Sequence, residues 1–136
     1  MTEPELAYAA GFFDGEGHIA IHRNCRGQSV RYYVQCMVSQ GTVDVLAVLA
    51  AHFGGNVRKA KSPSGPRWDW QITTAQAAAF LRAIRPYLIV KAAEADVALQ
   101  LQSTMGACGP RTPPEVQAFR VECFNRIRAI REERKK

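Results

Sequence analysis

The chain has 136 residues, of which 47% are hydrophobic and 22% are charged. This length supports a core of its own, and we expect a single domain over residues 1–136. The composition excludes disordered and fibrous proteins, and no apolar stretch approaches the roughly 18 residues of a membrane helix. The start of the chain lacks the basic and apolar segments of a secretory signal. We therefore expect an intracellular protein, cytoplasmic if bacterial or phage and organellar if eukaryotic.

The positive charge is concentrated in the middle of the chain. The net charge is +6 at pH 7. Residues 18–72 contain seven basic residues against Asp44 and Asp69, a local charge of +5, whereas the rest of the chain has eleven basic and ten acidic residues. A localised positive charge indicates a polyanionic partner.

The first predicted element is a helix over residues 3–14. Thr2 and Glu5 form a capping box at its start, and Gly15 and Gly17 are expected to stop it. Two segments, HIAIHRN and SVRYYVQCMVS, then alternate apolar and polar residues with period two. This alternation predicts two strands, joined by a hairpin loop at residues 26–28.

A second helix and a second pair of strands follow. The helix is predicted over 43–53 and is closed by Gly54-Gly55, and the strands over about 56–61 and 67–73 are joined by SPSGP. Further helices are predicted from 74 to about 85, over 90–104 and from 112 onward, with capping boxes at Thr73 and Thr112. ACGPRTPP is expected to be a loop, and the tail RIRAIREERKK a solvated helix end.

This order, α-β-β-α-β-β-α with extra C-terminal helices over 74–136, predicts an α+β fold. Two hairpins make a four-stranded antiparallel sheet over about 18–73, with helices on its apolar face. The other face is polar and basic, and such a twisted ribbon can enter a major groove and contact base edges. Strand parity selects nine candidate DNA-binding residues: His22, Asn24, Arg31, Tyr33, Gln35, Met37, Arg58, Asp69 and Gln71.

A stripe of mostly small residues runs along the first helix. Ala7, Ala10, Gly11 and Asp14 recur at i, i+3, i+4 and i+7 and therefore share one side. Small side chains let another backbone approach closely, and a second copy of the same helix is the simplest candidate. We therefore predict a dimer interface at these four residues.

The stripe ends in two carboxylates, Asp14 and Glu16, separated by Gly15. Carboxylates at a helix C-terminus face the negative end of the helix dipole, and such a broken rule indicates a functional position. Carboxylates and the unobstructed carbonyl of Gly15 are ligands that Mg²⁺ prefers. On the residues alone, an ordinary solvated turn remains the alternative, and neither carboxylate is preferred as the ligand.

The segment AAGFFDGEG, residues 9–17, resembles the LAGLIDADG motif. Ala10, Gly11, Asp14 and Gly17 match the motif, and Glu16 takes the place of its second Asp. The predicted element order and the alternating basic strands also resemble the fold of the LAGLIDADG homing endonucleases over essentially the whole chain. The single copy of the motif is similar to the homodimeric branch of that family.

The resemblance implies a site-specific endonuclease that hydrolyses both strands of a long pseudo-palindromic DNA target. It implies Glu16 and the Gly15 carbonyl as ligands of a catalytic Mg²⁺, with Mn²⁺ as a substitute and Ca²⁺ binding without cleavage. It also implies catalytic roles for Gln40, in VSQGT, and for Lys91, in PYLIVK. Asp44 stands where some relatives have a basic residue.

Two other interpretations compete with an endonuclease. One is a non-cleaving binder on the same fold, either an intron maturase or a DNA-binding regulator. The other is an unrelated basic domain with a chance motif, which would require the period-two strands to be coincidental. The joint presence of Glu16, Gln40 and Lys91 favours the endonuclease, because loss of cleavage would relax all three positions.

Overall fold

The computed structural model describes residues 1–106 and 111–136. Residues 107–110, within the predicted loop ACGPRTPP, lie outside the described residues. The helices are α1 (Glu3–Glu16), α2 (Asp44–Phe53), α3 (Thr74–Ile84), α4 (Ala92–Gln102) and α5 (Pro114–Arg134), with a 3-10 turn at Arg85–Tyr87. The strands are β1 (Gly17–Arg26), β2 (Ser29–Gln40), β3 (Asn56–Ser62) and β4 (Gly65–Thr73).

The four strands form one antiparallel sheet in the order β1-β2-β4-β3. Alternation within the strands sends one set of side chains towards the helices, and Val34, Cys36 and Val38 of β2 are at most 1% exposed. The intervening residues Tyr33, Gln35 and Met37 are only half-buried. The predicted α+β fold, with one apolar and one polar sheet face, is confirmed.

Phe80 of α3 joins three other elements in the core. Its ring makes edge contacts with Phe13 of α1, Phe53 of α2 and Trp70 of β4, at centroid distances of 5.1, 4.8 and 5.2 Å. Trp70 also donates its indole N–H to the Gly54 carbonyl at 2.9 Å. This aromatic cluster fixes the end of α1, and therefore the motif, against the sheet and α3.

Helix α1 begins as predicted and ends later. The capping box between Thr2 and Glu5 is present. The helix continues through Gly15 to Glu16, and the amide of Gly17 donates to the Phe13 carbonyl. Gly17, not Gly15, marks the end of the helix, and its backbone packs directly on the buried Phe13 ring.

The other two predicted capping boxes are wrong. Thr73 precedes α3 without a side-chain capping bond, and Thr74 adopts a left-handed backbone with φ of 51°. Helix α5 begins at Pro114 after an N-cap at Pro113, again without a side-chain capping bond. Thr112 instead accepts from the nearly buried Arg120 guanidinium at 3.3 Å, because tertiary contacts take precedence over local capping here.

Candidate functional site

All nine candidate DNA-binding residues project from the polar face of the sheet. Residues paired directly across antiparallel strands point to the same side. The register pairs His22 with Tyr33, and Asn24 with Arg31. It also joins the other five through the pairs Ala20–Gln35, Met37–Gln71, Ser39–Asp69 and Arg58–Asp69. Their grouping on one face follows from this register; their contact with DNA stays a prediction.

A chain of hydrogen bonds crosses three strands on this face. Gln35 of β2 contacts Nε2 of His22 on β1 through its Oε1 and donates from Nε2 to Gln71 Oε1 on β4 at 3.0 Å. Beside it, the Ser39 hydroxyl donates to Asp69 at 2.5 Å. These hydrogen bonds fix the side chains relative to one another.

The basic residues of the middle segment divide between the two sides of the sheet. By strand alternation Arg26, Arg31, Arg58 and Arg67 share the polar face, whereas Arg23, Lys59 and Lys61 have the opposite parity. Lys59 lies 5.4 Å from the centre of the Trp68 ring. Arg26, Asn56 and Arg67 also belong to the polar face but are not among the nine candidates. Strand parity identifies them, since Arg26 alternates with Asn24, Asn56 with Arg58, and Arg67 with Asp69.

At one end of the sheet, α1 delivers Glu16 to the surface. Glu16 is the last residue of the helix, and both Gly15 and Glu16 are exposed. A Cβ added at Gly15 would meet nothing within 4 Å, so its surroundings are open. This end of α1 presents one carboxylate and one uncrowded backbone position to solvent.

Asp14 ties this helix end to the segment before α4. Its carboxylate accepts the backbone N–H groups of Ile89, Val90 and Lys91 at 2.8, 3.2 and 2.9 Å. Burial raises the pKa of the Asp14 carboxyl, but these donors and the nearby Lys91 charge outweigh it and leave the pKa below its usual value. Asp14 therefore links two distant segments of the chain. The three hydrogen bonds from Ile89, Val90 and Lys91 to its carboxylate are called the Asp14 clasp below.

Lys91 is brought to the motif by this clasp. Its ammonium donates to the Asp14 carbonyl at 2.5 Å, at the last turn of α1. Burial lowers the pKa of Lys91 below its usual value, although the carboxylates of Glu94, Asp14 and Glu16 oppose the shift. Lys91 and Glu16, separated by 75 positions in sequence, thus lie at the same edge of the molecule.

Gln40 lies at the same end of the sheet. Gly17 pairs with Val38, so Gln40 extends two residues beyond the start of β1 and pairs with Trp68 of β4. It shares the parity of the core residue Val38 and is half-buried, so it does not belong to the polar face. Asp44, at the start of α2, is exposed.

Only two of the four residues in the predicted stripe on α1 are free to contact a second copy. Ala7 and Gly11 are exposed, and a side chain at Gly11 would meet nothing within 4 Å. Ala10 is 0% exposed because it packs in the core with Ala9 and Phe13, and Asp14 is occupied by the clasp. Small residues occur on both the buried and the exposed sides of α1, so their spacing did not indicate which side of the helix faces the core. The exposed side carries Ala7, Tyr8, Gly11 and Gly15.

The C-terminal helix reaches this site as well. Its end is exposed from Glu132 to Lys136, as predicted, but two of its arginines also make contacts with distant segments. Arg134 pairs with the carboxylate of Glu94, which is 2% exposed, and Arg131 donates to His18 at 2.9 Å. Burial and the neighbouring Arg131 lower the pKa of His18. A cleft beside Gly17 is lined by His18, Lys91, Glu94, Arg128, Arg131 and Arg134.

Two further features concern the described part of the chain alone. Within residues 1–106 and 111–136, no three side chains of His, Cys, Asp or Glu form a cluster that could hold a metal ion. In the same ranges, every helix is too short or too polar to cross a membrane.

Solved structures share this architecture. The homing endonuclease I-CvuI, complexed with the I-CreI target in 2 mM Mg and with its DNA uncleaved, superimposes with a TM-score of 0.80 at 21% identity, over 94% of this chain and 82% of that chain. The archaeal intron-encoded homing endonuclease I-Vdi141I, complexed with DNA, gives 0.79 at 17% identity, over 94% and 84%.

A third solved structure is described as that of a LAGLIDADG homing endonuclease. The LAGLIDADG homing endonuclease I-GzeII, in complex with its DNA target, gives a TM-score of 0.69 at 16% identity, over 91% of this chain and 43% of that chain. Comparisons with protein-family models and with curated proteins give no match. The element order, the sheet and the extent of these superpositions show that the chain has the fold of the LAGLIDADG homing endonucleases.

Proposed function

We propose that this protein is a homodimeric, divalent-metal-dependent endonuclease that cleaves both strands of a long pseudo-palindromic DNA site. The observation that carries the proposal is the juxtaposition of Glu16 and Lys91 at the end of a polar sheet face. The Asp14 clasp creates it by fixing Lys91 beside the last turn of α1. I-CvuI and I-Vdi141I, which share the fold, are complexed with DNA.

The donor groups at this edge suit a hard cation. Glu16 offers an exposed carboxylate, and Gly15 offers a carbonyl without a side chain to crowd it. Oxygen ligands of this kind match Mg²⁺, Mn²⁺ or Ca²⁺. One chain supplies few of the roughly six ligands that Mg²⁺ takes, so DNA phosphates, waters and the Glu16 of a second copy would complete the site.

Each protein group has a distinct task in this proposal. A bound divalent metal would polarise the scissile phosphate and provide a hydroxide-like nucleophile near neutral pH. The Lys91 ammonium, held at the Asp14 carbonyl, offsets the charge that develops on the phosphate. Gln40 orients water from the end of β2, while the polar sheet face binds base edges and fixes the register of the duplex.

The second copy is proposed to pack against the exposed side of α1. Gly11 and Ala7 let another helix approach, and Tyr8 beside them is 62% exposed and stacked on Phe12. The apolar surface continues at Ile89, which is 85% exposed next to the Asp14 clasp. Close packing of two such helices would bring two Glu16 carboxylates to the dimer axis.

The decisive experiment begins by selecting cleaved sequences from a randomised duplex library with Mg²⁺. On the selected site, Glu16→Gln should lower the cleavage rate by about 10³-fold or more while leaving DNA affinity unchanged, because the amide is a poor metal ligand. Glu122→Gln, the same change on an exposed face of α5, is the control and should cleave like the wild type. Wild-type protein that binds DNA or RNA but never nicks DNA would contradict the proposal and support a non-cleaving binder.

A further inference from the structure

The last turn of α5 is anchored to the start of α4 by an ion pair whose carboxylate is buried. Arg134 contacts both carboxylate oxygens of Glu94, with a distance of 2.8 Å from Nη1 to Oε2. The Glu94 side chain is 2% exposed and that of Arg134 is 39% exposed. A carboxylate so deeply buried is stable only with a partner that satisfies its charge and its lone pairs.

The same guanidinium also holds the backbone next to Lys91. Nη2 of Arg134 donates to the Val90 carbonyl at 2.7 Å, while the Val90 amide donates to Asp14. The peptide groups on either side of Val90 are therefore held by Arg134 and Asp14 together. Arg134 thus contacts both the segment that carries Lys91 and the carboxylate of Glu94.

Lys91 lies between two acceptors. Its ammonium donates to the Asp14 carbonyl at 2.5 Å. Lys91 is also the N-cap residue of α4 and lines the same cleft as Glu94, which lies in the first turn of that helix. A buried carboxylate without a partner would attract an ammonium more strongly than a neutral carbonyl does. The position of Lys91 therefore depends on whether Glu94 is already neutralised.

We propose that Arg134 is a positioning residue for Lys91. By occupying both oxygens of Glu94 and the Val90 carbonyl, it keeps the Lys91 ammonium at the Asp14 carbonyl beside Glu16. This inference rests on the proposed function, in which Lys91 acts on the scissile phosphate. It extends that function by assigning a role in cleavage to the C-terminal helix.

Charge-changing variants separate this role from simple docking of α5. Arg134→Gln leaves Glu94 unpaired, so Lys91 should turn towards it and leave the site. The double variant Glu94→Gln/Arg134→Gln removes the competing carboxylate together with its partner, so Lys91 should stay at Asp14. If Arg134 only attached α5 to α4, the double variant would be as defective as the single one.

The cleavage rate at saturating DNA and the DNA affinity are measured for both variants. Arg134→Gln should cleave at least about tenfold more slowly with affinity unchanged, because the lysine acts in the transition state. The double variant should recover most of that loss. Arg85→Gln, which breaks the more exposed pair of Arg85 with Asp96 of α4, is the control and should cleave like the wild type. A double variant as slow as Arg134→Gln would overturn the inference.

Crystal structures of the variants test the same point without cleavage. In Arg134→Gln, Lys91 Nζ should lie on the Glu94 carboxylate, and in the double variant it should lie on the Asp14 carbonyl. Arg134→Lys, which keeps one charge but cannot hold all three acceptors, replaces Arg134→Gln if that variant does not fold, and should show a partial shift. Lys91 unmoved in every folded variant would overturn the inference even if the protein cleaves DNA. A wild type that does not cleave, with Lys91 moving as expected, would refute only the proposed function.

Discussion

At the scale of single residues, position 17 requires glycine because of a close contact with a neighbouring side chain and not because of its backbone angles. Its φ of −86° and ψ of 171° are extended values that any residue can adopt. A Cβ at this position would nevertheless overlap with Cδ1 of Phe13, whose side chain is fully buried among core residues. The motif glycine is therefore needed because the strand leaves the helix directly over an aromatic ring.

Replacing Gly17 should test this contact. We expect Gly17→Ala to lower the free energy of unfolding by about 1–3 kcal/mol, because the Phe13 ring must move within a close-packed core. The measurement is urea unfolding followed by circular dichroism. Gly41→Ala is the matched control, since a side chain there would meet nothing within 4 Å. Equal free energies of unfolding for the two variants would show that the Phe13 ring can move aside without destabilising the core.

The residues that could be predicted from sequence differ from those that could not by the range of their interactions. Glu16 and Gly15 belong to a short motif, so the resemblance selects them directly. The partners of Asp14 lie 75 to 77 residues away, and Glu94 and Arg134 are 40 residues apart. No local pattern encodes such pairings, and the contacts of Arg134 were accordingly not predicted.

At the scale of elements, the strands were predicted better than the helices. Period-two alternation is set by one buried sheet face, so it identified β1 and β2 and the parity of their polar residues, while the turn-rich SPSGP indicated the hairpin of β3 and β4. Helix ends depend on contacts made elsewhere, as Thr112 shows by accepting from Arg120 and not capping α5. The orientation of α1 was also predicted wrongly, because alanine and glycine occur on both its buried and its exposed sides.

The hydrogen bonds that link His22, Gln35 and Gln71 across three strands predict that these proposed base-contacting residues act together. In a double-mutant cycle on DNA-binding free energy, His22→Ala and Gln35→Ala should couple by about 0.5–3 kcal/mol, because they share one network. Gln35→Ala and Gln71→Ala should behave likewise. Asn24→Ala with Gln71→Ala is the control, and these residues should add within about 0.5 kcal/mol. If the changes in binding free energy are additive for all three pairs, the hydrogen bonds that link these side chains must break when DNA binds.

At the scale of the whole molecule, the exposed side of α1 is the surface that the proposed second copy would contact. The fold leaves Ala7 and Gly11 at the surface beside the large apolar side chains of Tyr8 and Ile89. Exposed apolar patches of this kind indicate an interaction surface. The same edge carries Glu16, so assembly and catalysis are proposed to share one location.

Gly11→Leu should separate assembly from folding. A leucine fits the isolated chain, because nothing lies within 4 Å of that position, but it would block a second helix. We expect a dimeric wild type, a monomeric and folded variant, and loss of double-strand cleavage, measured by sedimentation and by plasmid cutting. Ala79→Leu, on an exposed face of α3, is the control and should remain dimeric. A monomeric wild type would refute the proposed assembly.

The Asp14 clasp also orders events in time. A ribosome makes the motif helix first, yet the amides that bind Asp14 come at residues 89–91 and Arg134 comes at the end of α5. Contacts at such separations form only after the chain between them has been made and folded. The site therefore cannot exist on a nascent chain shorter than 91 residues, and by our inference its lysine is held in place only once residue 134 has emerged. The proposed endonuclease would thus be inactive until its last helix has been made and folded.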